Sequence, residues 1–393
     1  MQPHLIICDS NVPWQGNRYS KHHLMSRLAR NNDVVFMNPQ VDACVYAREK
    51  GWRSVWNLGA RFEQPADEAL QAFTPLSLPY RGKSPHLVAA DQRYFTSQVR
   101  AVVKRYPGRD LILFIGNPWN VFLLDAFPEC KCSIYHCSDD FLSLFSGGLR
   151  DKLQEREEKL IRSVDLAMCS HKNLLNKCLE LGGRAHYLSH AVDERFLRRG
   201  KGVEAGCPEE IRSLPHPRIV LMGSLDVGLD CDLLRQTGED YPEASFVFIG
   251  KIDDRRRDTF ERLLQAPNMH WLGPKPWAEL PEYLWSMDAA IIPYVVDNFA
   301  ECRSPLKLFE YLAAGLPVVS TTAPPEEDFV PYVIVARGYE QFKAGIGEAV
   351  ARGEDPTRRE TQVALMEEKH TWDRRVEELE QAILSVKTGS AAL

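Results

Sequence analysis

Short apolar runs that alternate with amphipathic segments dominate the first half of the chain. The apolar runs have the length of β-strands and cover residues 5–8, 34–37, 111–115, 133–136 and 166–169. Amphipathic helices are predicted between them, at residues 19–30 and 151–163. Continuous apolar strands that alternate with helices are typical of a parallel sheet covered on both faces. The pattern therefore predicts a doubly wound α/β domain.

The same alternation starts again after a polar, glycine-rich stretch at residues 193–217. That stretch ends in a Leu-Pro-His-Pro sequence, which stops any helix, and we interpret it as a linker. Strands are then predicted at residues 219–222, 245–249, 269–272, 289–294 and 318–321, and helices at 305–314 and 374–386. Several of these strands run directly into a glycine, as a ligand crevice at the carboxyl ends of parallel strands requires. We expect two doubly wound, Rossmann-like domains that face one cleft.

Composition narrows the class of protein. The chain has 393 residues, of which 44% are hydrophobic and 26% are charged, and these values suit a globular protein of two domains. Its net charge of -6 disfavours a general nucleic-acid-binding protein. No apolar stretch approaches the roughly 20 residues of a membrane span. The first residues are typical of a β-strand rather than of a signal peptide, so we expect a cytoplasmic protein.

Ten cysteines are scattered along the chain. Cys130, Cys132 and Cys137 come nearest to a cluster, but no second pair of ligands follows at the spacing of a zinc site. We therefore expect reduced thiols, in keeping with a reducing cytoplasm, and predict no metal site.

The segment that begins at Ser304 carries the strongest chemical signal. Ser304 is a good N-cap and Pro305 a good first helical residue, so a helix is predicted to begin here. Unpaired N–H groups at a helix start, together with Lys307 in the first turn, attract phosphate. Glu310 lies three residues further on, where its carboxylate could accept both hydroxyl groups of a ribose. A nucleoside diphosphate fits this spacing, although a capped helix with a solvated lysine and glutamate would give the same pattern.

Three sequence blocks in this half resemble one known family. They are residues 268–273, 280–293 and 304–320, in that order. Together they resemble the retaining GT-B glycosyltransferases of family four, the group 1 glycosyl transferases. The resemblance implies two Rossmann-like domains, with the nucleotide sugar held by the last block and its ribose by Glu310. Residues 370–372 resemble the family's C-terminal end, after which the last helix crosses back to the first domain.

The expected domain organisation follows from the pattern and the resemblance together. Residues 1–192 would form an acceptor-side domain and residues 193–217 the linker. Residues 218–372 would form the nucleotide-sugar-binding domain. Residues 373–393 would pack on the N-terminal domain.

One departure from the family pattern concerns a glutamate. The family's paired glutamates stand eight residues apart, but the residue eight places before Glu310 is Cys302, and Glu301 is displaced by one. The Ser-Pro-Leu-Lys variant at residues 304–307 resembles a subgroup that builds bacterial envelope polysaccharides.

A second departure concerns the positive charge that the donor diphosphate needs. The family usually places an arginine and a lysine after the first strand of this domain, but residues 223–230 contain neither. Arg303, Lys307 or Lys251 could replace them. If none of the three does so, the leaving diphosphate is poorly stabilised.

The first domain resembles the family more loosely. Many relatives carry a histidine near the transferred sugar at the place of His136, and Asp139 follows in the same loop. We therefore predict both as catalytic, the alternatives being a buried histidine at a strand end and a turn-forming aspartate. Gly16 lies in the first loop between strand and helix, where the family brings backbone close to the donor. The full donor-binding set that we predict is Gly16, Gly223, Ser224, Lys251, Arg303, Ser304, Pro305, Leu306, Lys307 and Glu310.

The resemblance implies transfer of a sugar from a UDP-sugar or GDP-sugar to an acceptor hydroxyl, with retention of configuration. The acceptor would be a saccharide or a lipid-linked saccharide, in polysaccharide or glycolipid synthesis, and no cofactor is expected. The alternatives are a nucleotide-sugar epimerase of the same fold and a degenerate, non-catalytic sugar-nucleotide-binding protein. A dinucleotide-dependent oxidoreductase is disfavoured, because no Gly-x-Gly-x-x-Gly follows the first strand of either domain.

A basic cluster in the linker bears on localisation. Arg195, Arg198, Arg199 and Lys201 could contact anionic lipid at the inner face of the membrane, which would suit a lipid-linked acceptor. A solvated linker gives the same composition, so the cluster alone leaves a peripheral membrane contact as one of two alternatives.

Overall fold

The computed structural model describes residues 3–66, 68–79, 84–198, 206–296 and 303–388. The chain divides into two compact units. The first unit comprises Met1–Ser189 together with Arg375–Leu393, and the second comprises His190–Arg374. None of the helices in the described ranges has the length and hydropathy that crossing a membrane requires.

The first unit is built on an eight-stranded sheet in the order β10-β9-β8-β7-β1-β2-β5-β4. Every neighbouring pair is parallel except β4 with β5, and β3 pairs with β6 in a separate parallel ribbon. The strands are β1 Leu5–Asp9, β2 Asp33–Met37, β3 Val41–Asp42, β4 Phe62–Glu63, β5 Gln71–Phe73, β6 Leu76–Ser77, β7 Leu111–Ile115, β8 Cys132–Cys137, β9 Leu166–Cys169 and β10 Ala185–Tyr187.

Helices of the first unit follow most of these strands. They are α1 Ser20–Leu28, α2 Ala43–Lys50, α3 Trp52–Trp56, α4 Pro85–Val103, α5 Phe122–Ala126, α6 Gly147–Ser163 and α7 Lys172–Glu180. The long C-terminal helix, Trp372–Thr388, has all but its first three residues in this unit. The central strands β1, β7 and β8 are buried along their whole length, which explains why they are continuously apolar in sequence.

The second unit contains a six-stranded, wholly parallel sheet in the order β13-β12-β11-β14-β15-β16. Its strands are β11 Arg218–Met222, β12 Ser245–Ile249, β13 Met269–Trp271, β14 Ala289–Ile292, β15 Val318–Ser320 and β16 Val333–Val335. Its helices are α8 Glu209–Arg212, α9 Cys231–Asp240, α10 Arg257–Leu263, α11 Leu280–Trp285, α12 Leu306–Ala313, α13 Tyr339–Gly353 and α14 Pro356–Lys369; α15 Trp372–Thr388 then leaves this unit.

The predicted α/β class is confirmed, and the strands at residues 111–115, 166–169 and 245–249 have the predicted bounds. Helix α1 carries two adjacent histidines, His22 and His23, and both are buried. Burial lowers the pKa of His22 to about 4, so the ring is neutral. It accepts a hydrogen bond from the Tyr19 amide at Nδ1 (3.1 Å), and Nε2 lies 3.0 Å from the carbonyl oxygen of Pro13, to which it donates.

Candidate functional site

Helix α12 begins one residue later than predicted, and Ser304 does not cap it. Pro305 is the N-cap, and no side chain of the described residues caps the helix start. The reason is the backbone: Pro305 is itself extended, with φ -71° and ψ 124°, so Ser304 lies one residue too far from the first amides. The Ser304 hydroxyl is buried and finds no hydrogen-bond partner in the described part of the chain. As far as the chain is described, the helix therefore offers uncapped N–H groups next to an unpaired hydroxyl.

A buried histidine forms a hydrogen bond to the backbone just before this helix. The imidazole Nδ1 of His190 lies 2.7 Å from the carbonyl oxygen of Ser304, to which it donates. Burial lowers the pKa of His190 to about 4, so the ring is neutral at ordinary pH. Val192 pairs with Thr371, which joins the segment after His190 to residues 370–372, where the sequence resembles the family's C-terminal end.

The later part of α12 is hydrogen-bonded to the first strand of this unit. The Tyr311 hydroxyl accepts a 2.6 Å hydrogen bond from the amide of Met222, the last residue of β11. This contact sets Lys307, one helical turn earlier, against Gly223. A Cβ atom added to Gly223 would lie 3.1 Å from both Cε and Nζ of Lys307. Gly223 has φ 108°, so two independent constraints favour glycine there.

Backbones touch directly at the ends of β11 and β12. Gly250, which follows β12, has φ 146°, and a Cβ there would lie 1.9 Å from the carbonyl oxygen of Gly223. The Gly250 amide donates to the carbonyl oxygen of Gly273 at 2.9 Å. The three glycines that end successive strands in sequence thus form a connected carboxyl edge, as the pattern of strands running into glycine indicated.

Two basic side chains lie beside residues 223–230, the loop that contains no lysine or arginine. The guanidinium carbon of Arg303 lies 4.8 Å from the ring centre of Tyr294, and Nζ of Lys307 lies 5.5 Å from the same ring. Arg303 also reaches the loop after β11, since a Cβ on Gly228 would lie 3.1 Å from its Nη1. Of the three predicted replacements for the family's basic pair, these two are brought to the loop.

Ser224 and Lys251, also predicted to bind the donor, are both exposed. The charge of Lys251 acts on Asp253 and Asp254. A hydrogen bond from Arg255, with Lys251 as a smaller contributor, lowers the pKa of Asp253 to about 2. The positive charge of Lys251 therefore acts on two neighbouring carboxylates.

Glu310 is half-buried on the first turns of α12. Burial raises its pKa to about 7, and the charge of Lys307 and the polar indole of Trp277 act in the opposite direction. Asp193 contributes a small further increase. The Trp277 ring in turn lies under the guanidinium of Arg195, 4.1 Å from its carbon. Trp277 had no signal in the sequence, because a tryptophan is more often a packing residue than a binding one.

The predicted basic cluster of the linker lies only partly within the described residues, and the displaced glutamate lies outside them. Arg195 forms an ion pair with Asp193 at 2.9 Å and lies over Trp277, while 47% of its side chain remains exposed. Arg199 and Lys201 lie outside the described residues, as do Glu301 and Cys302, on which the displaced glutamate depends.

The predicted residues of the first unit lie at the carboxyl edge of its own sheet. His136, near the end of β8, is buried and its ring packs 5.2 Å from that of Phe114. Asp139 is exposed and accepts a 3.2 Å hydrogen bond from the Ser138 hydroxyl. Gly16 has φ 105° and open space around it, so its backbone conformation explains the glycine and no crowding does.

The structure adds a buried acid and base that the sequence did not indicate. Asp9 ends β1 and Lys21 lies in the first turn of α1, and both side chains are buried. Asn120 donates to Oδ1 of Asp9 at 2.9 Å, while Oδ2 has no partner among the described residues. Burial raises the pKa of Asp9 to about 6 and lowers that of Lys21, and each charge partly offsets the shift of the other. A Cβ on Gly116 would lie 3.0 Å from the lysine Nζ.

One group of side chains in the described part of the chain has the geometry to hold a soft metal ion. The sulfur atoms of Cys137, Cys169 and Cys178 lie within 4.8 Å of one another, and all three residues are buried. Cys137, which is nearest to Cys130 and Cys132 along the chain, is thus grouped in space with two cysteines of β9 and α7. Buried thiols also pack as small apolar groups, and the three lie in the core of the first unit.

Comparison with known proteins agrees with the fold and the motif. Residues 217–352 match the sequence profile of the family described as glycosyl transferases group 1. A curated Bacillus subtilis protein, named as a teichuronic acid biosynthesis glycosyltransferase, is 29% identical over 215 residues, which are 51% of this chain and 53% of that protein. The match thus spans about half the length of that relative.

Solved structures match over the whole chain at low identity. Sucrose-phosphate synthase from Thermosynechococcus elongatus superimposes with a TM-score of 0.72 at 11% identity, covering 99% of this chain and 100% of that one. Anabaena HepE, in complex with UDP and glucose, gives a TM-score of 0.66 at 11% identity, covering 98% and 100%. The GT-B fold is confirmed, and so is the resemblance of the second unit to the group 1 glycosyltransferases.

Proposed function

We propose that this chain, whose second unit carries the group 1 glycosyltransferase pattern on a GT-B fold, is a glycosyltransferase that uses a nucleotide-diphosphate sugar. The observation that carries the proposal is the start of α12. Uncapped amides, the unpaired Ser304 hydroxyl and two cations converge there, and a carboxylate follows one turn later. The donor would be a UDP-sugar or a GDP-sugar, transferred with retention to the hydroxyl of a saccharide or lipid-linked acceptor in polysaccharide or glycolipid synthesis.

The diphosphate would bind at the helix start. The amides of Leu306 and Lys307 and the Ser304 hydroxyl supply donors, and the positive end of the helix dipole favours negative charge. Lys307 and Arg303 supply full positive charges from the side of Tyr294. The absence of a Cβ at Gly223 leaves room for a phosphate oxygen beside the ammonium group.

The ribose would bind at Glu310. An ionised carboxylate has only acceptors, so it is suited to two hydroxyl donors of one ring. Its pKa of about 7 leaves a fraction of Glu310 protonated in the free protein at neutral pH. Two hydroxyl donors would stabilise the carboxylate and draw the group into its ionised form.

The same groups would also stabilise the reaction. As the bond between the sugar and the diphosphate breaks, negative charge grows on the leaving diphosphate. Lys307, Arg303 and the α12 amides are already oriented by the Tyr311 and His190 hydrogen bonds, so they respond without reorganisation. By resemblance, His136 and Asp139 of the first unit would act near the transferred sugar.

A nucleotide-binding measurement tests this proposal. Titration calorimetry with UDP and GDP should give binding of at least one, and Glu310→Ala should weaken it at least about tenfold, because two hydrogen bonds to a charged group are lost. The matched control is Glu261→Ala, an exposed glutamate on α10 of the same unit, which should leave affinity unchanged.

Turnover is tested separately, by release of nucleoside diphosphate from the donor with saccharide acceptors. Binding that survives Glu310→Ala unchanged would refute the ribose assignment. Binding without any turnover would favour the degenerate protein, and conversion of the donor without acceptor would favour the epimerase.

A further inference from the structure

The α2–α3 segment of the first unit presents two large aromatic side chains to solvent. Trp52 is 61% exposed and Trp56 is 82% exposed, and Val45 on α2 is 44% exposed. Trp52 and Trp56 are four residues apart on one helix, so they lie on the same face. A tryptophan exposed to this extent leaves most of its apolar ring in water, which is unfavourable unless something covers it.

The opposite face of the segment is firmly packed. Tyr46 and Val55 are buried together with Leu76 in a small apolar cluster of their own. Asp42 caps α2 by accepting from the amides of Cys44 and Val45. The two tryptophans therefore point outward from a segment whose other face is packed and capped.

Three basic residues lie close in sequence to the exposed tryptophans. Arg48, Lys50 and Arg53 are exposed, and none of the three forms an ion pair or side-chain hydrogen bond with another described residue. Glu49 is the single acidic residue between residues 43 and 56. This local excess of positive charge stands out in a chain whose net charge is -6.

We propose that Val45, Arg48, Lys50, Arg53, Trp52 and Trp56 form a docking surface for an anionic lipid bilayer. Tryptophan is the side chain best suited to the headgroup region, since its ring is apolar and its indole N–H remains able to hydrogen-bond. Unpaired lysine and arginine side chains beside it complement the negative surface of phospholipid headgroups. The surface lies wholly within the first unit and is separate from the linker cluster around Arg195.

The combination of rings and charges selects this occupant over a second copy of the chain. A copy-to-copy contact through this surface would place like charges opposite each other, which is unfavourable. A bilayer offers negative charge and an apolar layer at depths that match a tryptophan ring flanked by long basic side chains.

Vesicle co-sedimentation tests the proposal with the full chain. The protein should pellet with vesicles of phosphatidylcholine and phosphatidylglycerol, and much less with phosphatidylcholine alone or at high salt. Trp52→Ala combined with Trp56→Ala should lower the partition coefficient at least about tenfold, because the buried aromatic area is lost. Arg48→Glu combined with Arg53→Glu should lower it by a similar factor.

Matched variants separate docking from other effects. Leu179→Ala removes a half-exposed apolar side chain from α7 of the same unit, and Arg150→Glu with Lys152→Glu makes the same charge change on α6. Both controls should pellet like the unchanged protein, and nucleotide binding should be the same in all variants. If the tryptophan variant fails to fold, the charge-reversal variant, whose altered side chains are exposed, carries the test.

Three results would overturn the proposal. The first is an unchanged protein that does not pellet with anionic vesicles. The second is docking variants that pellet as well as their controls. The third is a tryptophan variant that changes the oligomeric state in light scattering while its vesicle binding stays the same, which would assign the surface to a second copy. Because nucleotide binding is measured in parallel, failure here is distinct from failure of the proposed transferase function.

Discussion

The carboxyl edges of the two sheets differ in the kind of charged groups that they hold and in how deeply those groups are buried. In the second unit, Arg303 and Lys307 are half-buried over one tyrosine ring, next to uncapped helix amides. In the first unit, Asp9 and Lys21 are buried, and their charges act on each other. One edge therefore holds positive charge that a ligand can reach, and the other holds a buried acid and base, each of whose charges partly offsets the pKa shift that burial imposes on the other.

This difference indicates different roles for the two edges. A buried acid–base pair has a high desolvation cost, and removing one partner leaves the other uncompensated. Positive groups that are only half-buried retain their charge at smaller cost and remain available to a phosphate. We therefore expect changes at Lys21 to act first on stability, and changes around α12 to act first on nucleotide affinity.

The largest expected effect comes from Gly250→Ala, which tests whether the second edge depends on backbone contact. The added Cβ would lie 1.9 Å from the Gly223 carbonyl oxygen, and φ is 146°. Both strands would have to separate, so we expect a loss of about 4 kcal/mol in the free energy of unfolding of this unit and no measurable nucleotide binding. Guanidinium unfolding and calorimetry measure the two quantities.

Gly273→Ala is the control for that change. Gly273 has φ 72°, but nothing lies within 4 Å of its added Cβ. The backbone preference alone should cost about 1 kcal/mol. Equal effects of the two substitutions would show that contact between Gly250 and Gly223 is not what matters.

The next effect in size is expected for Lys21→Met, which tests the first edge. It leaves the Asp9 carboxyl buried without its positive neighbour, so we expect destabilisation of about 3 kcal/mol. UDP or GDP affinity should change less than about twofold, since Lys21 belongs to the other unit. Thermal unfolding and calorimetry provide both values.

The double variant Lys21→Met with Asp9→Asn sharpens this prediction. Removing the carboxylate as well should restore part of the lost stability, because no buried charge then remains. A Lys21→Met protein that is as stable as the unchanged one, but binds nucleotide poorly, would reverse the roles that we assign to the two edges.

The smallest effect is the pH dependence of donor binding through Glu310. Its pKa of about 7 in the free protein should fall when ribose hydroxyls donate to it, so binding releases a proton. Affinity is then full above pH 7 and is lost as pH falls through 7, by about tenfold between pH 8 and pH 6. Calorimetry with an intact nucleotide sugar measures this, since its diphosphate does not titrate in that range.

Glu310→Gln provides the control, because it keeps the shape and removes the titration. Its affinity should be weaker at pH 8 and nearly independent of pH. His190, which lies behind the helix start, is neutral throughout because its pKa is about 4. An unchanged pH profile in the variant would show that another group titrates.

The chemistry of the second edge could be predicted largely from sequence, because Arg303 to Glu310 are contiguous and share one helix start. The first edge could not, since Asp9, Lys21, Gly116 and Asn120 are far apart in sequence. An aspartate after a strand and a lysine early in a helix are common, and only burial makes them distinctive. The exposed faces of Trp52 and Trp56 likewise had no sequence signal, because tryptophan is more often buried than exposed.

The sequence by itself determined the parallel α/β layers and, within one residue, the helix start that we propose to bind phosphate, together with its carboxylate. Those features depend on local periodicity and on residues a few positions apart, which the chain's own geometry brings together. The tertiary structure alone decided that Tyr311 fixes Lys307 against Gly223 and that Gly250 touches Gly223. It also decided that Ser304 supplies an unpaired hydroxyl rather than a cap. Such contacts join distant segments or depend on the backbone angles of one residue, so no pattern along the chain specifies them.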